Sequence, residues 1–329
     1  VSARGVAASL STAVGGLALA VGAGTTLARL LPGVPGVAPD TWAMVTSFTD
    51  AGALAYLVAL LGLGGAVLLR HHRARLAAGV LALVLATVHL TWLVPGWVAD
   101  DRPAAGTGRL TVLAQNMLFG GADPGALVAA AADADVLVLT EVTEPARLAL
   151  EAAGIGERFP HEAGDGSLPR SGPSGTHVYS RFPLSAEGPL DARIGDHHWR
   201  ADVAVPGLGA VTVVAVHPQR PVRGGDDWAG EQEQVRRALP RTRAVIAGDF
   251  NAVDAHPTMR RLRADGFRDS DDLVGAGWNP TYPAQGLVPP LIAIDHVLVT
   301  DDLTATDFGT VDLPGTDHRG VLATVALRG

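Results

Sequence analysis

The pattern of apolar and polar positions divides the chain in two. Up to Val94 the apolar positions run on without a period. Val6–Leu31 is broken only by small residues, hydroxyl side chains and a late Arg29. Ala51–Leu69 carries no charge, and in Leu76–Val94 the one ionisable side chain is His89. A bilayer crossing needs about 20 apolar residues. Each stretch therefore predicts a membrane span, at 6–31, 51–69 and 76–94. A cleaved leader would explain the first but not the others. A buried helical domain would show amphipathic faces, which these stretches lack.

From Arg109 the apolar runs become short and alternate with amphipathic ones. Leu110–Ala114 reads as a strand closed by Gln115-Asn116, and Pro124–Ala132 as a helix. Val136–Thr140 reads as a buried strand closed by Glu141, and Glu144–Ala153 as a second helix. Gly154–Gly175 is loop-rich. Further strands are predicted at Thr176–Ser180, Trp199–Val205, Ala210–Val216, Val245–Gly248, Leu291–Val299 and Gly320–Leu327, with helices at Asp226–Leu239 and His256–Ala264. Such alternation marks a layered α/β domain. The predicted organisation is a membrane region over 1–98, a polar Pro/Gly-containing tether over 99–108, and an α/β domain over 109–329. The short tether would keep that domain close to the bilayer.

Composition agrees with a membrane part. Of the 329 residues 48% are hydrophobic but only 5% aromatic, so Ala, Val and Leu carry the excess. The absence of Cys excludes disulfides, thiolate zinc sites and Cys nucleophiles. All 25 basic residues are Arg, and the net charge of −8 gives no broad attraction for a nucleic-acid backbone. Basic residues also set orientation. Arg70, Arg73 and Arg75 lie between the second and third stretches, whereas Pro32–Asp50 has no Arg but holds Asp40 and Asp50. The positive-inside rule puts the arginine loop in the cytoplasm and the α/β domain outside the cell. His89, near the outer end, reads as an interfacial packing residue, and Gly62, Gly64 and Gly65 would let helices approach closely.

Candidate chemistry gathers at strand ends, where α/β sheets place their sites. Asn116, Glu141, His217, Asp249, Asn251, Asp295, Asp317 and His318 all lie at or near the ends of apolar runs. Each has a plainer reading: Asn116, Asp249 and Asn251 as turn residues, Glu141 as a helix-start acid, His217 as a strand-end residue. If strand geometry persists past Gly248, Asp249 and Asn251 point the same way. Asp295 is harder to set aside, because an acid in an apolar strand calls for a cationic partner, and a histidine is the natural one.

The order Asn116, Leu139-Thr140-Glu141-Val142, His217, Gly248-Asp249-Phe250-Asn251, Ile294-Asp295-His296, Thr316-Asp317-His318 resembles the endonuclease/exonuclease/phosphatase superfamily over residues 108–329. Tyr179-Ser180-Arg181-Phe182-Pro183 and Thr281-Tyr282-Pro283 are similar to further family segments. The resemblance implies a four-layer α/β sandwich, two mixed β-sheets flanked by helices, here preceded by an all-α three-span region. It implies Glu141 as principal ligand of Mg2+ (or Mn2+), supported by Asn116 and Asp317. His318, held by Asp295, would act on the attacking water or the phosphoryl group. His217 and Asn251 would donate to phosphate oxygens, Arg181 would help to bind substrate, and Asp249 would orient water or assist the leaving group. Two features depart from the family pattern. Thr316 stands where Ser is commoner, and Met117-Leu118-Phe119 lacks the acid that some members place two residues after the Asn, which argues against a second ion.

The three-span layout resembles an actinobacterial group of membrane phosphoesterases, some linked to glycopeptide (teicoplanin) resistance. That likeness implies a lipid-linked phosphate or pyrophosphate, such as a polyprenyl carrier, at the outer membrane surface. The alternatives are a membrane-anchored extracellular nuclease, for which Arg220, Arg223, Arg236, Arg237, Arg241 and Arg243 offer a local basic cluster, a phospholipase, and a non-catalytic membrane sensor. No protein partner can be inferred.

Overall fold

The computed structural model describes residues 2–69, 72–100, 102–164, 175–191, 198–221 and 228–329. The chain divides into two units, one of residues 1–95 with 255–257 and one of the remainder. The first holds α1 (Ala3–Leu30), α2 (Pro39–Thr46), α3 (Gly52–Leu69) and α4 (Arg73–Leu93), the last running into a 3-10 turn to Trp97. Three of these helices are long and apolar enough to cross a membrane. Their ends differ from the expected spans by up to three residues, since polar first turns extend the helices beyond the apolar runs. The short α2 lies in a stretch expected to be loop. It starts on Pro39, with Asp40 in its first turn, and both favour a helix N-terminus.

Close approach of α1 and α3 rests on Gly15 and Gly62. A Cβ on Gly15 would lie 2.7 Å from Leu63 N, and one on Gly62 would lie 2.9 Å from Gly15. Gly64 and Gly65 face open space instead. His89 packs as the sequence suggested, but inside the helical unit. It is fully buried, with Nε2 2.5 Å from Thr49 O and Nδ1 3.4 Å from Thr26 Oγ1, which in turn meets Tyr56 Oη at 2.5 Å. Burial among apolar helices leaves these polar groups no water, so they satisfy one another.

The second unit contains β1 (Arg109–Asn116), α5 (Pro124–Ala130), β2 (Val136–Val142), α6 (Glu144–Ala152), α7 (Ile155–Arg158), β3 (His161–Gly164), β4 (Gly175–Ser180), β5 (Leu184–Pro189), β6 (Trp199–Val205), β7 (Gly209–Val216) and α8 (Trp228–Ala238). It continues with β8 (Ala244–Asp249), α9 (Pro257–Ala264), β9 (Phe267–Asp269), α10 (Ser270–Val274), β10 (Asp295–Thr300), β11 (Leu303–Val311) and β12 (Gly320–Leu327). The strands form two six-stranded mixed sheets, β11-β12-β1-β2-β4-β3 and β5-β6-β7-β8-β10-β9.

Alternation along each strand builds the layers. Val112, Ala114, Val136 and Val138 of the first sheet share a core with Val213, Ala215, Val245, Ala247 and Val297 of the second. The intervening Leu113, Leu137 and Leu139 face the other way, onto Leu127, Leu150, Ile155 and Phe159 of the α5–α7 region.

Several elements went unread in the sequence. Edge strand β5 is Leu-Ser-Ala-Glu-Gly-Pro, whose polar, Gly/Pro-containing run looks like a loop. Strand β10 starts at Asp295 rather than Leu291, because the residues before it pair with Tyr282 instead of with the sheet. The described residues of the expected tether belong to the second unit and bond to its other elements. Asp100 N donates to Leu273 O at 2.8 Å, its carboxylate takes Arg268 and Arg328 at 3.2 Å each, and Ala104 N donates to Leu327 O at 2.8 Å.

Candidate active site

Topology brings the candidate residues to one end of the sandwich. Strands β1 and β2 are parallel and pair Asn116 with Thr140, so Asn116 and Glu141 leave the first sheet together. Strands β7 and β8 are parallel in the second sheet, so His217 and Asp249 emerge side by side. Strand β10 runs antiparallel to β8 and pairs Asp295 with Asp249. Strand β12 runs antiparallel to β1 with Val321 opposite Ala114, which brings the preceding Asp317-His318 just beyond Asn116.

Asp249 is the hub. Its buried Oδ2 accepts from Asn116 Nδ2 at 3.0 Å, and His217 Nε2 and His318 Nε2 stand 3.7 and 3.9 Å away. Its Oδ1 accepts from Asn251 N–H at 2.8 Å. Asp249 thus closes an Asx-type turn and faces the site at the same time. Strand geometry does not persist to Asn251, which has φ +48° and sends Nδ2 to Pro218 O at 3.0 Å. The alternation rule therefore does not relate the directions of Asp249 and Asn251.

Glu141 also has a left-handed backbone, φ +56°, at a register shift between β2 and β4. A bulge of this kind re-aims a side chain. Oε2 accepts from Phe119 N–H at 2.9 Å, and Oε1 accepts from Asn116 Nδ2 at 3.2 Å and lies 3.5 Å from His217 Nε2. It is Thr143, not Glu141, that caps α6.

His318 Nδ1 lies 2.8 Å from Asp295 Oδ2. Burial works against its charge, but Asp295, Asp249 and Asp317 outweigh it and push the imidazole up to about 10. His318 is then a cation at neutral pH, with both ring nitrogens protonated. Burial pushes the Asp249 carboxyl up, against the pull of His318. His296, next to Asp295, points to the opposite face of β10. There it meets Asp269 at 2.5 Å and Ala252 O at 2.9 Å, and it stands apart from this cluster.

Residues 113–318 match the Endonuclease/Exonuclease/phosphatase family. The chain belongs to this family. It is similar to the crystal structure of an endonuclease/exonuclease/phosphatase from Beutenbergia cavernae DSM 12333, at 24% identity over 68% of this chain and 72% of that one, with a TM-score of 0.52. An endonuclease/exonuclease/phosphatase from Bacteroides vulgatus gives 13% identity over 67% of this chain and 99% of that one, with a TM-score of 0.52. An AP endonuclease from Archaeoglobus fulgidus gives 15% over 65% and 98%, also with a TM-score of 0.52. At these identities the likeness is one of fold. A search of curated proteins finds no match.

As a family member the chain is a hydrolase of phosphate esters, and hard oxygen donors for a divalent ion are present. Asp317 Oδ1 is buried without a hydrogen-bond partner, and Glu141 brings a carboxylate that is 14% exposed. Asp249, Asp295 and His318 also offer atoms within 4.8 Å of one another. The Glu141 side supplies hard carboxylate oxygens of the kind that Mg2+ or Mn2+ takes.

Arg181 requires a correction. Strand β4 runs antiparallel to β2 and pairs Ser180 with Val136, at the start of β2. Arg181 is therefore at the far edge of the sheet from Glu141, held by Ala132 O and by Asp135 at 3.6 Å. Most of the described basic cluster is ion-paired: Arg236 and Arg237 with Glu233, Arg236 and Arg241 with Asp265, and Arg243 with Asp302, while Arg220 is exposed and close enough to Tyr282 to act on it electrostatically. Arg223 lies outside the described residues.

Three supports had no role assigned from the sequence, although Gln115 and the Thr281-Tyr282-Pro283 segment stood out there. Gln115 Nε2 donates to Asn116 O at 2.6 Å and to His318 O at 3.3 Å, tying two site segments together. Thr281 Oγ1 accepts from Asp295 N–H at 3.3 Å. The Tyr282 ring lies 5.0 Å from that of His318. A polar Gln inside an apolar strand was the available signal for the first of these.

Proposed function

We propose that the chain is a membrane-held hydrolase of phosphoric esters or anhydrides that uses Mg2+ or Mn2+ and acts on a lipid-linked phosphate or pyrophosphate outside the cell. The observation that carries this reading is the buried Asp249 carboxylate, met by Asn116, His217 and His318 with Glu141 alongside. Glu141 would hold the ion, supported by Asn116 and Asp317. When bound, it would offset negative charge on the phosphoryl oxygens. Asp249 orients the attacking water, and its raised carboxyl suits proton transfer. His318, positioned by Asp295, presents a cation to the phosphoryl group or the water. His217 and Asn251 donate to non-bridging oxygens.

The three apolar helices support the membrane part of the reading. A helical anchor of this kind in front of the domain resembles the actinobacterial group linked to teicoplanin resistance, which favours a polyprenyl pyrophosphate. An anchored site also meets a lipid substrate at raised effective concentration. Ion pairing of Arg236, Arg237, Arg241 and Arg243 leaves less free positive charge for a nucleic-acid backbone, which favours the lipid reading over the nuclease one.

Purified full-length protein with Mg2+ or Mn2+ is expected to release phosphate from a polyprenyl pyrophosphate in preference to cleaving DNA or phospholipid. Asp249→Ala is expected to cut that rate by about 100-fold or more. If none of these substrates reacts and the variant matches the parent, the sensor reading takes over. Orientation has its own test in the Cys-free background. An impermeant thiol reagent is expected to label a Cys placed at exposed Ala105 in intact cells and to miss one at exposed Ala74. The reverse pattern would overturn the outside assignment.

A further inference from the structure

The path into β10 makes a closed excursion beside the site. Tyr282 N–H donates to Ile292 O at 3.0 Å, and Leu291 and Ile292 N–H donate back to Tyr282 O at 2.9 and 3.1 Å. The loop from Pro283 to Pro290 is pinched shut at this base. The base is fixed to the site by the Tyr282 ring, 5.0 Å from His318, and by Ala284 N–H, which donates to Asp317 O at 2.6 Å.

Its composition is unusual for an exposed loop, with no charged residue from Pro283 to Ile294. At the tip Leu287 is 104% exposed and Val288 54%. Leu287 is the most exposed large apolar side chain among the described residues, ahead even of those on the apolar helices. Phe119, whose N–H donates to Glu141, is 48% exposed. Apolar side chains held out in water at a site mouth are costly unless something covers them. The covering medium is indicated by the chain itself. It carries three helices long enough to cross a bilayer, so hydrocarbon is covalently within reach. A tip with no basic residue would be drawn there by apolar burial rather than by headgroup charge.

We propose that the 283–290 loop is a membrane-inserting prong whose Leu287 and Val288 enter the lipid hydrocarbon and hold the catalytic cluster at headgroup depth. The inference rests on the reading that the site serves a membrane-borne phosphate, and it adds the surface that would present the site to the lipid.

The test uses the full chain, in which Leu287→Cys is the single thiol. The thiol is labelled with the environment-sensitive fluorophore NBD, and the protein is reconstituted into phosphatidylcholine/phosphatidylglycerol vesicles with or without acyl-chain nitroxide lipids. Emission is expected to shift to the blue and to be quenched by the nitroxide. A label at Ser185→Cys, exposed at the opposite end of the second sheet, should stay water-like. Leu287 packs on nothing, so its replacement leaves the fold intact. Water-like, unquenched emission from position 287 overturns the proposal. A second measurement is the ratio of turnover on vesicle-borne lipid pyrophosphate to turnover on a soluble phosphodiester, which Leu287→Asp/Val288→Asp is expected to lower about tenfold. An unchanged ratio counts against insertion. Quenching at 287 without any lipid phosphate hydrolysis supports the prong and removes the substrate reading instead, so the two claims fail separately.

Discussion

His318→Gln is expected to lower the turnover of the phosphate substrate by about a thousandfold while the protein still folds. Gln keeps an N–H donor toward Asp295 but cannot carry charge. The loss therefore measures a preorganised cation aimed at the phosphoryl group, an effect of about 100- to 1000-fold in comparable electrostatic sites. Ala is the poorer choice, because it leaves the buried Asp295 without a partner, and an uncompensated buried carboxylate destabilises the fold. Asp295→Asn tests positioning. The His318 imidazole, held up at about 10, is charged well past neutral pH and loses its proton as pH rises through that value. The stabilisation that its ion pair with Asp295 gives the fold follows the same sign. It is fully present below the ordinary histidine range and fades as pH climbs toward about 10. Without the Asp295 charge the imidazole's pKa should drop, so the alkaline limb of the rate profile should move toward neutrality in the Asn variant. A profile that stays in place, or a His318→Gln enzyme that keeps a tenth of its turnover, would remove His318 from the chemistry.

Gly248→Ala is expected to cost more than about 3 kcal/mol of stability. Gly248 has φ +137°, which side-chain-bearing residues rarely adopt, and a Cβ there would lie 2.2 Å from Val216 O on the neighbouring parallel strand. Both the backbone angle and the contact must give, in a strand that is buried throughout. For a unit of this size the loss corresponds to a fall in melting temperature of about 6 °C or more. Thermal unfolding of the purified protein checks it, with Gly188→Ala as control, since a Cβ at Gly188 meets nothing within 4 Å. Equal melting temperatures for the two variants would show that the strand tolerates the shift. Because Gly248 precedes Asp249, the variant should also lose activity before it loses its fold.

The two strained or bent positions show where sequence reading reaches its limit. Asn116, Glu141, His217, Asp249 and His318 stood out because polar residues ended apolar runs, and parallel strand pairing then set their carboxyl ends side by side. The Asp295–His318 bond could be anticipated on electrostatic grounds, since a buried acid needs a cation. What could not be read was direction. The left-handed turn at Asn251 and the bulge at Glu141 break strand alternation, and neither is specified by the identity of its own residue. Arg181 failed for the same reason. Adjacency to a strand end says nothing about which end of the sheet that is until the pairing partner is known. The edge strands β3, β5, β9 and β11 were missed because short or partly polar runs look like loop in one dimension. Sheet membership supplies the burial that makes them strands.

The first sheet has a construction order of its own. It starts with β1, but β1 is flanked by β12, which follows every other strand among the described residues, and Arg109 ends opposite Ala326. The segment that feeds β12 carries Asp317 and His318. A nascent chain can therefore have made both sheets' other strands, the Asp249 hub and Glu141, and still lack both the strand beside β1 and the cation beside Asp249. If Asp249 and His318 act together as proposed, hydrolysis must wait until β12 has docked against β1, whereas the three apolar helices lie far earlier in the chain.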